Sequence, residues 1–175
     1  SEEYKVLKLG EDIWMAENLR HSIGTGSVPV HCDYTSDKDY GFLYSWDNAM
    51  LVCPEGWHLP SDQDWKKLEI YLGMDIEEVD QFESRYSGSV GEKLKAKEYW
   101  DFGTNLSGMG LMPSGYYYRE EYYSCNKESD YWSSTEFEDS FTDKAIVRRF
   151  SQKNDASHRG SRTKRTCCSV RCVKD

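Results

Sequence analysis

Two sets of side chains in this 175-residue chain could do chemistry: six cysteines (Cys32, Cys53, Cys125, Cys167, Cys168 and Cys172) and the tyrosines of "SGYYYREEYYSCNKESDYW", residues 114–132. Thiols ligate soft metals, attack electrophiles or pair as disulfides, and their spacing separates these uses. No Cys-x-x-Cys occurs, and His21, His31, His58 and His158 are scattered without ligand spacing, so no metal site is expected. No Ser-His-Asp order, phosphate loop or paired-carboxylate motif stands out, and no cofactor is implied. Six cysteines in a chain this short then point to disulfides in an oxidised, exported protein.

The tyrosines suggest recognition instead. Tyr116, Tyr117, Tyr118, Tyr122, Tyr123 and Tyr131 cannot all face one interior, because neighbours in an extended chain point opposite ways. Exposed rings beside Arg119, Glu120 and Glu121 would suit a glycan or a protein epitope through stacking and hydrogen bonds. The competing reading is that the rings pack a long loop lacking strands of its own. The stretch 152–165, also read as a loop, adds Arg159 and Arg162 to the candidate ligand-binding set.

These loops need a body to hold them. Hydrophobic residues at 38% and charged residues at 30% fit one globular domain over residues 1–175. No apolar run approaches the ~18 residues that span a bilayer. The chain begins at Ser1 rather than Met, so the missing targeting segment carries no weight. The net charge of −9 hides an asymmetry. From residue 145 onward nine basic residues face only Asp155 and Asp175, an excess of seven positive charges. We expect this tail to be neutralised by the acidic body, which would also repel nucleic acid.

"YKVLKLGEDIWM" reads as two strands around a turn at Gly10-Glu11-Asp12, and residues 20–40 as a surface loop. Trp46, Ala49 and Cys53 share a helical face, predicting a helix over 43–52 that Pro54 ends. Ser61 with Asp64 is a capping box for a second helix carrying Trp65, Leu68 and Leu72, with Gly73 as its stop. A short helix is expected over 92–98, irregular loop across the glycines of 103–115, and strands over 130–136 and 144–151. Cys168, Val170 and Cys172 would share one face of a final strand.

Seven motifs then appear in order: "WMAENL" (14–19), "YGFLYSW" (40–46), "CPEGWHLPSDQDW" (53–65), "GEKLKA" (91–96), "LMPSGYY" (111–117), "YWSSTE" (131–136) and "SVRCVKD" (169–175). Together they resemble the Fibrobacter succinogenes major paralogous domain, a family of bacterial exported modules grouped with C-type lectin-like folds. The resemblance implies an α+β domain of two helices, small antiparallel sheets, long loops and paired termini, often within a lipoprotein anchored by an upstream lipid. It also implies a Cys53–Cys172 bridge and places Trp14, Trp46, Trp57, Trp65 and Trp132 in the core. Lectin-like domains often carry a second bridge, which would join Cys125 to Cys167 or Cys168 and leave Cys32 the remaining partner. Here the chain departs from the family, because Ser36 to Tyr40 offer Cys32 no nearby thiol. Glu17 and Glu136, inside motifs, are expected to pair with Arg159 or Arg171.

True C-type lectins chelate calcium through Glu-Pro-Asn or Gln-Pro-Asp loops and a Trp-Asn-Asp strand, none of which occurs here. Formylglycine-generating enzymes, a related fold, bind copper through a Cys-x-x-x-x-Cys pair, the spacing of Cys167 and Cys172. Those enzymes continue beyond the second cysteine, and Cys172 is already claimed by Cys53. The resulting expectation is a non-catalytic, exported cell-surface module recognising a glycan or a surface protein. An architectural role in a surface assembly such as a fimbrial tip is the alternative, and copper-thiol oxidation ranks last.

Overall fold

The computed structural model describes residues 2–30, 40–138 and 141–175. Strands β1 (Val6–Leu9) and β2 (Asp12–Met15) form the expected hairpin, in register from Val6↔Met15 to Leu9↔Asp12. Further on, β3 (Ser27–Pro29) pairs with β4 (Phe42–Tyr44). Residues 42–44 are thus strand, where the helical period predicted the first turn of a helix. Gly41 explains the difference. It sits at φ +74°, and a Cβ there would meet the Leu19 carbonyl at 2.6 Å. That close approach lets the Phe42 amide donate to Leu19 and the Tyr44 amide donate to Cys168, so tertiary pairing overrides the local period.

Helix α1 therefore runs Trp46–Val52, and Cys53 follows it in extended conformation ahead of Pro54. After β5 (Trp57–His58), α2 (Asp62–Tyr71) opens with the expected capping box: Ser61 Oγ accepts from the Asp64 amide, and the Asp64 carboxylate accepts from the Ser61 amide. Next come β6 (Glu83–Arg85), a 3-10 turn and α3 (Val90–Leu94). The last helix stops at Leu94 rather than reaching 98, because Lys95 turns extended and bridges Leu111. Strands β7 (Tyr116–Tyr118), β8 (Glu121–Tyr123), β9 (Glu128–Glu136), β10 (Lys144–Ser151), β11 (Ser157–Thr163) and β12 (Val173–Lys174) complete the chain. Half of the stretch expected to be a loop over 152–165 is β11.

Two four-stranded sheets organise these elements, in the orders β1-β2-β12-β5 and β6-β11-β10-β9. The first pairs the N-terminal hairpin with the C-terminal strand, so the ends of the domain meet. Cys53 and Cys172 are disulfide-bonded across the same region, with Cα atoms 5.9 Å apart and a sequence separation of 119. The closing stretch Thr166–Val173 is buried on both sides rather than one. Cys167 and Val173 pack in an apolar cluster with Trp14, Trp65 and Tyr131. Cys168, Val170 and Cys172 pack in a second cluster, with Trp46 and Trp132. Trp14, Trp46, Trp65 and Trp132 are buried as expected, Trp57 is only half-buried, and Trp100 joins the core.

Helix α2 is bound to the second sheet by charge. Glu69, fully buried, accepts from Arg85 on β6 (2.5 and 2.9 Å), Arg148 on β10 (2.8 and 3.1 Å) and the Ser157 hydroxyl on β11 (2.7 Å). Asp62 accepts from Arg148 at 2.8 Å and from Arg159 at 2.6 and 3.0 Å. Burial alone would raise both carboxyls. Hydrogen bonding from Arg159 and charge from Arg148 overcome it at Asp62, and charge from Arg148 and Arg85 at Glu69, so both are held below the usual range. Arg148 and Arg159 of the basic tail are neutralised here. Glu17 and Glu136 serve differently from expectation: Glu17 accepts from the Lys5 amide and lies 3.7 Å from Arg20, while Glu136 pairs with Lys164. Arg171 has neutral acceptors, namely Asn18 Oδ1 and the carbonyls of Met15, Met109 and Gly110.

Removing Glu69 leaves the buried Arg85 without a carboxylate and Arg148 with Asp62 alone, so Glu69→Gln should cost about 3–5 kcal/mol in urea unfolding, whereas Glu136→Gln at an exposed pair should cost under about 1 kcal/mol. The depressed carboxyls also set a pH dependence. Their stabilisation is complete above the unfolded values of about 3.9 and 4.3 and is lost as pH falls through the lower folded values. Urea midpoints should therefore hold level from neutrality to about pH 5 and drop below about pH 4.

Candidate functional site: the tyrosine cleft

The tyrosine stretch expected to be a strandless loop is a hairpin. Strands β7 and β8 are joined by Arg119 and Glu120, both at positive φ (49° and 66°), the backbone of a two-residue primed turn. Gly115 admits the hairpin: at φ +64°, a Cβ there would collide with the Tyr123 carbonyl. Pairing in register (Tyr116↔Tyr123, Tyr117↔Tyr122, Tyr118↔Glu121) sorts the rings by face. Tyr117 and Tyr122 turn inward, 4.9 Å apart, onto the larger apolar cluster, with the Tyr122 hydroxyl donating to the Pro29 carbonyl. Tyr116 and Tyr123 stack on the opposite face, with centroids 5.2 Å apart and planes 11° from parallel.

A cleft of about 450 Å³ opens beside that stack. Tyr116, Tyr118 and Tyr123 form its aromatic wall, and Arg162 and Lys144 its basic side. Ser161, Thr163 and Thr166 supply hydroxyls. Arg162 Cζ lies 4.0 Å from the Tyr116 ring centre, and its Nε donates to Asp130 at 2.8 Å. Asp130 is almost fully buried and also accepts from Arg149 Nε at 2.8 Å. Burial alone would lower the Arg162 pKa, but the Asp130 charge and hydrogen bond outweigh it, so the guanidinium stays charged. Aromatic faces, a fixed cation and hydroxyls together suit binding of a polar ligand with a flat apolar face.

Of the ligand-binding residues read from sequence, Tyr116, Tyr118, Tyr123 and Arg162 converge here. Arg119 stands at the rim, 5.2 Å from the Tyr118 ring. Tyr117 and Tyr122 serve the core. Arg159 is turned to the other face of the sheet, bonded to Asp62 and packed 4.0 Å from the Phe82 ring. Sequence reading missed Lys144, Ser161, Thr163 and Thr166. The alternation in "SHRGSRT" was the available signal, but its polar composition hides a strand from any reading based on apolar residues. Within the loops from 101, a larger hollow of about 690 Å³ borders Asp101, Phe102, Ser124 and Lys127, with no stacked ring pair in its wall.

The family model of the Fibrobacter succinogenes major domain matches residues 7–174. The chain belongs to that family. No curated protein and no solved structure matches it.

In this Fibrobacter succinogenes major domain the cysteines divide unequally. Besides Cys53–Cys172, Cys125 is disulfide-bonded, but its partner is neither Cys167 nor Cys168, which are free buried thiols. Geometry explains this correction: Cys167 exchanges both backbone hydrogen bonds with Tyr117, and Cys168 both with Tyr44, so the two thiols enter different clusters. Cys32 lies outside the described residues. Cys172, already bonded, leaves Cys167 without the second thiolate that a copper pair needs. Burial pushes the Cys167 thiol to about 11, and burial together with the Asp130 charge raises Cys168 well above its ordinary value. Among the described residues no cluster of His, Cys, Asp or Glu could hold a metal ion.

Alkylation at pH 8 should leave Cys167 and Cys168 unmodified in the native Fibrobacter succinogenes major domain and label both in urea. Cys53, Cys125 and Cys172 should react only after reduction, as peptide mapping would read directly.

Proposed function

We propose that this chain is a non-catalytic, exported recognition module of C-type lectin-like architecture that binds a saccharide in the tyrosine cleft. The observation that carries the reading is the parallel Tyr116–Tyr123 pair beside Arg162 and three hydroxyls. A sugar ring offers an apolar face for stacking and hydroxyls at its edge, and the cleft offers a partner for each. The turn that presents the hairpin supports it too. Arg119 and Glu120 hold the left-handed conformation without glycine or asparagine, and such strain concentrates where function retains it.

Two facts support the lectin-like architecture: the ends of the domain meet in one sheet, and a disulfide joins the close of α1 to the last strand. Disulfides support placement outside the reducing cytosol, and no helix among the described residues is long and apolar enough to cross a membrane. A second reading, an architectural module of a surface assembly, is favoured by Met50 and Leu51, which α1 leaves 43% and 80% exposed.

A glycan array tests the first reading. Specific hits should weaken at least about tenfold in Tyr123→Ala and Tyr116→Ala, as expected for aromatic anchors, and stay unchanged in Tyr71→Ala, an exposed ring on α2. A uniformly silent array, or hits indifferent to both cleft variants, would transfer the weight to the architectural role.

A further inference from the structure

The charge beneath the cleft does not balance. Asp130 takes one hydrogen bond from Arg149 and one from Arg162, each through Nε, so two guanidinium groups share a single buried carboxylate. Among the described residues, Asp130 is the carboxylate that pairs with Arg162. The terminal nitrogens of Arg162 make no hydrogen bond among the described residues, although Arg162 lines the cleft. Its orientation is nevertheless fixed twice, by Asp130 at Nε and by the Tyr116 ring against its face. Lys144 borders the same cleft and forms no ion pair among the described residues. The nearby cation Lys164 is different, since it is taken up by Glu136 and Asp143.

An oriented guanidinium with both terminal nitrogens unbonded is a bidentate receptor for a carboxylate. Such a site is unexpected in a chain with a net charge of −9, whose field at long range repels anions. Elsewhere in the second sheet, Arg85, Arg148 and Arg159 bring their terminal nitrogens onto Glu69 and Asp62. The fork of Arg162 opens on the cleft instead.

Building on the saccharide reading of this cleft, we propose that its ligand is an acidic sugar whose carboxylate is gripped by Arg162 and neutralised with help from Lys144. The ring of the uronic-acid unit lies against Tyr123, which Tyr116 backs on its other face, and its hydroxyls meet Ser161, Thr163 and Thr166. Asp130 is the positioning residue that holds the fork, and Arg149 offsets the Asp130 charge so that the Arg162 charge is not cancelled.

The test is an array printed in matched pairs, each carboxylated saccharide beside its methyl ester, followed by calorimetry on the best pair. The free acid should bind at least about tenfold tighter than the ester, as a charge-assisted bidentate contact predicts. The preference should shrink as salt is raised from about 0.05 to about 0.5 M, because the cleft is open to solvent. Arg162→Lys keeps the charge but loses the fork, and should remove most of the preference without unfolding the domain. Lys144→Gln, on the rim, should reduce it by a smaller factor. Equal binding of acid and ester would overturn the acidic-sugar assignment while leaving the stacking reading intact. No binding by any member of any pair would overturn both. An acid preference unchanged in both variants would place the carboxylate elsewhere and refute the role of Arg162.

Discussion

Every layer of this domain depends on where its last ten residues go. The segment from Thr166 to Val173 runs through the middle of the molecule rather than along its surface. Its backbone is bonded in turn to Tyr117 on the hairpin, Tyr44 on β4, Asp130 and Trp132 on β9, Leu19, and Met15 on β2. Alternate side chains enter different apolar clusters, so the segment is the shared wall of two cores. A tail threaded in this way must be pinned, or the hydrogen-bonding groups of its neighbours would lose their partners together. The Cys53–Cys172 bridge does the pinning. Closing a loop of 119 residues, it contributes on the order of 4 kcal/mol in the chain-entropy account.

The second sheet translates that arrangement into two faces of different character. On one, Arg148 and Arg159 reach Asp62 and Glu69 of α2 and lock the helix in place. On the other, Asp130 gathers Arg149 and Arg162 beneath the tyrosine hairpin. The four arginines of β10 and β11 are thus divided by strand alternation between the helix face and the face beneath the hairpin. Cys167 and Cys168 stitch the hairpin and β4 to the same backbone, which is why the cleft is built on rigid elements although its turn is strained. A cleft so supported would need little ordering to take up a ligand.

Much of this was legible in the sequence where a local rule and the tertiary structure agreed. Ser61 with Asp64 announced α2, Gly10 the first turn, and the stretch "KAIVRRFS" β10. The clasp between Cys53 and Cys172 came from resemblance, since six cysteines allow many pairings. Where the reading failed, long-range pairing had overruled local pattern or supplied what composition lacked. Residues 42–44 fit a helical period but are claimed by β3 and Cys168. Strand β11 contains no large apolar residue and is held by neighbours on both edges. The tyrosine hairpin lacks the Asn-Gly signature because Arg119 and Glu120 occupy its turn. That last mistake hid the register that separates Tyr116 and Tyr123 from Tyr117 and Tyr122, and with it the site itself.

Native-state hydrogen exchange resolved by residue tests the threaded tail most directly. Amides of Cys167, Cys168 and Ser169 should be among the slowest in the domain, exchanging only through global unfolding, and should remain slower than those of the α1 helix. If these amides exchange on the time scale of a frayed terminus while β9 and β10 stay protected, the tail is not the shared wall of the two cores, and the threaded architecture is refuted.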